Sequence, residues 1–147
     1  MPQFEILDIS GDAGIRAFGH NLKDLFINAA LGMYSLITDL DAVRDNKAVE
    51  LSLESSSLEG LLISWLNELI FHFDAYGFVG KKIAINEFAP GEDDPSGGQF
   101  SVRALVWGEE FDPARHEGKL LIKAATYHRL SIQKIGETWE TEVIFDI

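Results

Sequence analysis

Between Ser57 and Gly77 runs LEGLLISWLNELIFHFDAY, a stretch whose apolar residues, wound as a helix, occupy nearly every side. Such a helix cannot lay one stripe on a core and turn the rest to water, so other elements must cover it. Ser56 and Glu59 form an S-x-x-E capping box at its start and Gly77 supplies the stop, which predicts a helix over 58–76. A membrane-surface role is disfavoured, because the stretch carries acids rather than bases and its apolar residues wrap around.

What covers this helix is legible in the flanking periodicities. Asn21 precedes a one-sided apolar face at Leu22, Leu25, Phe26, Ala29, Met33, Leu36 and Ile37, with Asp24 three residues after the cap, predicting a first helix that ends near Thr38. Short runs rich in β-branched and aromatic residues at 4–8 and 15–18 bracket the turn Ser10-Gly11-Asp12-Ala13-Gly14. Residues 47–53 alternate as a half-buried strand does, and further strands are predicted over 78–88, 99–110, 119–133 and 138–147. Two helices and roughly seven strands, the later ones joined by short turns, define an α+β class. The expected architecture is a single two-layer domain over residues 1–147, with the two main helices packed on largely antiparallel β-sheet.

A chain of 147 residues buries roughly two thirds of the surface it would expose unfolded, enough for its own core. No run approaches the about 20 apolar residues of a membrane helix, and MPQFEILDIS lacks the basic and apolar regions of a secretory signal. Cysteine is absent, so disulfides and thiolate metal sites are excluded, which fits the cytoplasm. Twenty-four acids against twelve bases give a net charge of −12. Strong direct nucleic-acid binding, which rests on clustered Lys and Arg, is therefore disfavoured.

Several residues invite a chemical reading. Asp8 and Asp12 flank a loop of small residues, where Gly11 and Gly14 let backbone wrap close to a cation. Glu92, Asp93 and Asp94 lack the spacing of an EF-hand loop and read as a solvated turn. The chain ends VIFDI, where alternation sets Trp139, Thr141, Val143, Phe145 and Ile147 on one face and Glu140, Glu142, Ile144 and Asp146 on the other. Sheet pairing would hold the Asp146 carboxylate near the terminal one, and two fixed anions call for a metal ion or a Lys or Arg between them. The segment 112–130 carries His116, Lys123, Tyr127 and His128, and Lys123 reads as a cation mid-strand in want of a carboxylate or an anionic ligand. No P-loop, dinucleotide fingerprint, H-E-x-x-H or G-x-S-x-G elbow occurs, so no sequence motif points to an enzyme.

Four stretches in order, GDAGIRAFGHNLKDLFINAALGMYSLITDL, LEGLLISWLNELIFHFD, KAATYHRL and the terminal VIFDI, make the chain resemble the archease family over almost its whole length. The resemblance implies a non-enzymatic partner of an RtcB-type RNA ligase in tRNA splicing and RNA repair, promoting GTP-dependent guanylylation of the ligase and its multiple turnover. It implies a divalent metal ion, calcium or else manganese or magnesium, on residues that match here to Asp12, Asp146 and Ile147. Lys123 matches the Lys of the family's K-A-x-T-Y strand, and Lys123, Asp8 and His116 are candidates for partner contact or activation. Where the family's N-terminal loop usually reads D-H-T-A-D, this chain has Asp8, Ile9, Ser10, Gly11 and Asp12, so the histidine is missing and both acids are kept. The alternative reading is a chaperone-like or scaffolding module whose metal is purely structural.

Overall fold

The computed structural model describes residues 3–90 and 99–147; the acidic turn at 92–94 lies outside them. Seven strands and two long helices follow in the order β1 (Phe4–Leu7), β2 (Ala13–Gly19), α1 (Leu22–Ile37), β3 (Lys47–Ser55), α2 (Leu58–Tyr76), β4 (Phe78–Ala89), β5 (Phe100–Glu110), β6 (Ala124–Ile135) and β7 (Thr138–Asp146). A short 3-10 turn at Leu40–Ala42 links α1 to β3. The α+β class holds, and every strand pairing is antiparallel. The strands form two sheets, one ordered β1-β2-β7-β6 and the other β3-β5-β4.

Both helices touch both sheets: α1 packs chiefly on β2 and β4, and α2 chiefly on β6 and β3. That placement gives α2 the cover its sequence demands. Leu61, Leu62, Trp65 and Leu66 are fully buried, and the Trp65 indole N–H donates to the Phe26 carbonyl of α1 at 3.0 Å. The last turns of α2 emerge, leaving the large apolar side chains of Phe71 and Tyr76 exposed. Among the described residues, no helix is long and apolar enough to cross a membrane.

The helix ends follow the sequence with one correction. Asn21 caps α1 by accepting from the Asp24 N–H at 2.8 Å, and Gly77 ends α2 in the left-handed region at φ 70. The cap of α2, however, is Ser57, whose hydroxyl accepts from the Gly60 N–H at 3.0 Å; the Ser56–Glu59 capping box is not formed. In a run of three serines either Ser56 or Ser57 could serve, and Gly60 leaves room for the cap that forms, since a Cβ there would sit 2.4 Å from the Ser55 Oγ and 2.8 Å from the Ser57 Oγ. Ser57→Ala is expected to cost about 1 kcal/mol in urea unfolding and Ser56→Ala next to nothing. Equal costs would refute this assignment.

A second correction concerns the segment before β6. Residues 119–123 are not strand; the Lys119 and Leu120 N–H groups bond instead to the carbonyls of Ile37 and Leu36, at 2.9 and 3.1 Å. The end of α1 leaves these carbonyls without helical partners, and the incoming chain satisfies them. Ladder pairing starts only at Ala124, opposite Asp146.

Candidate functional site at the ends of four strands

The antiparallel order of the first sheet brings four chain positions to one edge. β1 finishes at Leu7, β2 begins at Ala13, β7 finishes at Asp146 and β6 begins at Ala124, so Asp8, Asp12, Asp146 and Lys123 all stand at strand ends on the same side. Ala13 pairs with Phe145, and continuing that register by one step sets Asp12 across from Asp146. Directly opposed residues of an antiparallel pair share a face with Cα atoms roughly 5 Å apart. The Lys123 N–H donates to the Asp146 carbonyl at 2.8 Å, which fixes the head of β6 against the end of β7.

Terminal residues usually fray, yet here β7 lies inside its sheet, between β2 and β6. Val143 and Phe145 are fully buried beneath it, whereas Asp146 and Ile147 are exposed. The core therefore anchors the strand up to the last buried side chain and presents the next two residues to solvent. Asp12 is half-buried in the turn where its N–H reaches the Ile9 carbonyl at 3.4 Å, and Asp8 is exposed.

Ion pairing differs between this edge and the middle of the sheet. Farther along the same sheet, Arg16 lies among Glu5, Glu140 and Glu142 at 3.3 to 3.5 Å, and the Glu142 carboxylate leads the neighbours that raise its pKa. Among the described residues, no ion pair includes Asp8, Asp12, Asp146, the terminal carboxylate or Lys123. A Lys or Arg bridge between the two anions is thus not the arrangement found. Nor is any group of three or more His, Asp or Glu side chains set to hold a metal ion among the described residues. The implied ligand set counts two side chains and one main-chain carboxylate. These are hard oxygen donors, which suit calcium, magnesium or manganese better than zinc.

His116 is not at this edge. It is buried, with its Nε2 3.0 Å from Glu109 Oε2 and its Nδ1 accepting from the Asp112 N–H at 2.8 Å, and its ring stacks on Phe111. An imidazole that accepts at Nδ1 carries its proton on Nε2 and donates it to Glu109. Glu109 also receives the Arg44 N–H at 2.6 Å and the Arg115 guanidinium, while Arg115 reaches the Ala42 carbonyl at 2.8 Å. Sequence spacing gave no sign of this clasp, which closes the 112–116 turn onto the 40–44 turn beside an open depression of about 570 Å³.

The Arg115 guanidinium, helped by the Arg44 N–H and His116 and opposed by burial, holds the Glu109 carboxyl at about 2 against an ordinary 4.5. A carboxyl lowered in the folded state adds stability above its unfolded value, and that stability is lost as pH falls from about 4.5 toward 2. Thermal unfolding of the wild type should therefore drop steeply across that window. Glu109→Gln should begin less stable at neutral pH and show a flatter acid limb; parallel curves would refute the role.

Two helices set against antiparallel sheets, with carboxylates gathered where the strands of one sheet end, define the class of small α+β protein to which this chain is compared. A model of the Archease protein family (MTH1598/TM1083) matches residues 4–147. The protein archease of Methanosarcina acetivorans is 35% identical over 145 residues, covering 99% of this chain and 96% of the relative. That of Sulfurisphaera tokodaii is 31% identical over 147 residues and covers both chains fully, at 100% each. The solution structure of protein 1598 of Methanobacterium thermoautotrophicum superposes with a TM-score of 0.80 at 32% identity, covering 100% of both chains. The crystal structure of an archease, described as a possible chaperone, from Thermotoga maritima shares the fold with a TM-score of 0.62 at 19% identity, covering 96% of this chain and 94% of that one. The chain belongs to the archease family.

Proposed function

We propose that this protein is a cofactor that activates an RtcB-type RNA ligase in tRNA splicing and RNA repair, raising its GTP-dependent guanylylation and its multiple turnover. What supports the reading is that Asp12 immediately precedes β2 and Asp146 ends its paired strand β7, with neither in an ion pair among the described residues. Asp12, Asp146 and the Ile147 carboxylate would hold a divalent ion, calcium or else manganese or magnesium. When bound, the ion would neutralise the edge and offer a positive centre to phosphate oxygens.

The chain's own residues have separate tasks in this account. Asp12 and Asp146 bind, the buried Val143 and Phe145 keep the strand that carries Asp146 in place, and Lys123, held by its backbone N–H to the Asp146 carbonyl, offers an exposed ammonium to an anionic group. Asp8 adds negative charge at the rim. With a net charge of −12, the protein would address a cationic, nucleotide-loading region of its partner without competing for RNA. Purified ligase incubated with GTP should show more guanylylated enzyme and more product per active site when this protein is added. Unchanged ligase activity would end the proposal.

A second reading rests on the Thermotoga maritima relative, which is described as a possible chaperone. In that case the ion would be structural, tying the 8–12 turn to the last strand. Chelator should then lower the melting temperature strongly without a specific effect on ligase turnover.

A further inference from the structure

On the far side of Lys123, β6 departs from its ladder. Thr126 pairs with Ile144 and pairing resumes at Ser131 with Glu142, so residues 127–130 stand opposite Val143 alone. An ordinary bulge sets two residues against one, and this one sets four. It is pinned at both ends by threonines. The Thr126 hydroxyl donates to the Ile144 carbonyl at 2.8 Å and accepts from the His128 N–H at 3.3 Å, and the Thr141 hydroxyl donates to the Ser131 carbonyl at 2.6 Å. Leu130 packs against the core. Tyr127, His128 and Arg129 are left outside, with Tyr127 63% exposed.

Two features show a displayed surface rather than slack. Arg129 has φ 56, the left-handed region that side-chain-bearing residues occupy at a cost, and it is the one such non-glycine among the described residues. Its guanidinium, like that of the exposed Arg44, makes no ion pair among the described residues, whereas Arg16, Arg103 and Arg115 are all paired to glutamates. Arg129 alone of the five combines that with the left-handed backbone of a displayed bulge.

We propose that the Tyr127-His128-Arg129 bulge is a docking knob for an acidic segment of the protein partner; that this partner is the ligase rests on the function proposed above. Arg129 would pair with a carboxylate through its two-pronged guanidinium, and Tyr127 would supply the flat apolar contact, the two residue types that protein interfaces favour. Charge complementarity selects a carboxylate over a nucleic acid. One Arg satisfies a carboxylate, while an RNA strand brings a phosphate at every nucleotide and needs clustered cations that an edge ringed by Asp8, Asp12 and Asp146 does not offer. The strand-end acids and the bulge are two regions of opposite sign on one pair of strands, the first where β6 and β7 meet at Ala124 and Asp146 and the second opposite Val143.

The test is direct binding of the intact chain to purified ligase, with thermal unfolding as the fold control. Arg129→Glu and Tyr127→Ala should each weaken affinity about tenfold or more, with unchanged melting, and Arg129→Glu should reduce its salt dependence. Arg129→Gly, which suits the left-handed backbone, should melt no lower than wild type yet lose most of the affinity. Wild-type affinity in all three variants would overturn the knob. So would a drop in binding to a single-stranded RNA oligonucleotide with ligase affinity unchanged. Failure of the wild-type chain to bind ligase at all overturns the ligase as partner, an outcome distinct from equal binding by wild type and variants.

Discussion

Asp146→Ala is expected to return ligase guanylylation to the level seen without this protein, while the variant melts at or slightly above the wild-type temperature. The two halves of that result come from the same geometry. Asp146 is exposed, has no ion-pair partner among the described residues and stands at the end of β7, one step beyond the Ala13–Phe145 pair, so its removal leaves the core untouched. Stability should change by no more than about 0.5 kcal/mol. Ion binding, by contrast, loses one of three anionic donors, and calorimetric titration with calcium should show affinity reduced about tenfold or more, that is by at least ~1.4 kcal/mol. Asp12→Ala should behave alike. Lengthening the chain by one residue after Ile147 is the sharper version, because every side chain is kept while the main-chain carboxylate moves away. Full activation by all three variants would exclude the strand-end mechanism.

The largest effect on stability is expected far from that edge, at Gly108. Gly108 lies on β5, the central strand of the second sheet, paired with Lys47 on one side and Gly80 on the other. A Cβ at Gly108 would lie 1.8 Å from the Val79 carbonyl oxygen and 2.7 Å from its carbon. These are backbone atoms of the paired strand, so no side chain can swing aside to make room. Gly108→Ala must push β4 off β5, where the register already shifts between Gly80 and Lys82. A loss of about 3 kcal/mol in urea unfolding follows, with a melting shift of roughly 6–12 °C. Gly118 is the control, since its added Cβ would meet only the Phe111 ring at 3.7 Å, and Gly118→Ala should change stability by under about 0.5 kcal/mol. A Gly108→Ala protein as stable as wild type would show that the sheet yields more readily than its spacing suggests. Because β5 does not reach the strand-end site, ligase activation by this variant should fall only with the unfolded fraction.

The residue pattern of this chain was sufficient for much of the fold. Leu58–Tyr76 had to be a covered helix because its apolar residues leave no dry and wet side, and α1 was legible from a one-sided face with Asn21 as cap. Both are local consequences of a 3.6-residue period. Alternation in the last strand likewise put the buried Thr141, Val143 and Phe145 on one face, but Ile144, which it set with Asp146 on the other, is buried too. The cap at Ser57 and the late start of β6 were not legible, because neighbouring serines are equivalent in sequence and the 119–123 segment is claimed by carbonyls of α1.

Sequence alone therefore determined most of the elements, the faces the two helices bury and the presence of charge at the end of an apolar strand. Only the tertiary structure decided what lies beside that charge. The two aspartates are separated by most of the chain, and it is strand order, with β7 between β2 and β6, that sets Asp12 opposite Asp146 and Lys123 next to it. Pairing between distant strands depends on which sheet arrangement buries all apolar faces at once. No local period encodes that, and so the Glu109 clasp and the Tyr127-His128-Arg129 bulge became visible only in three dimensions.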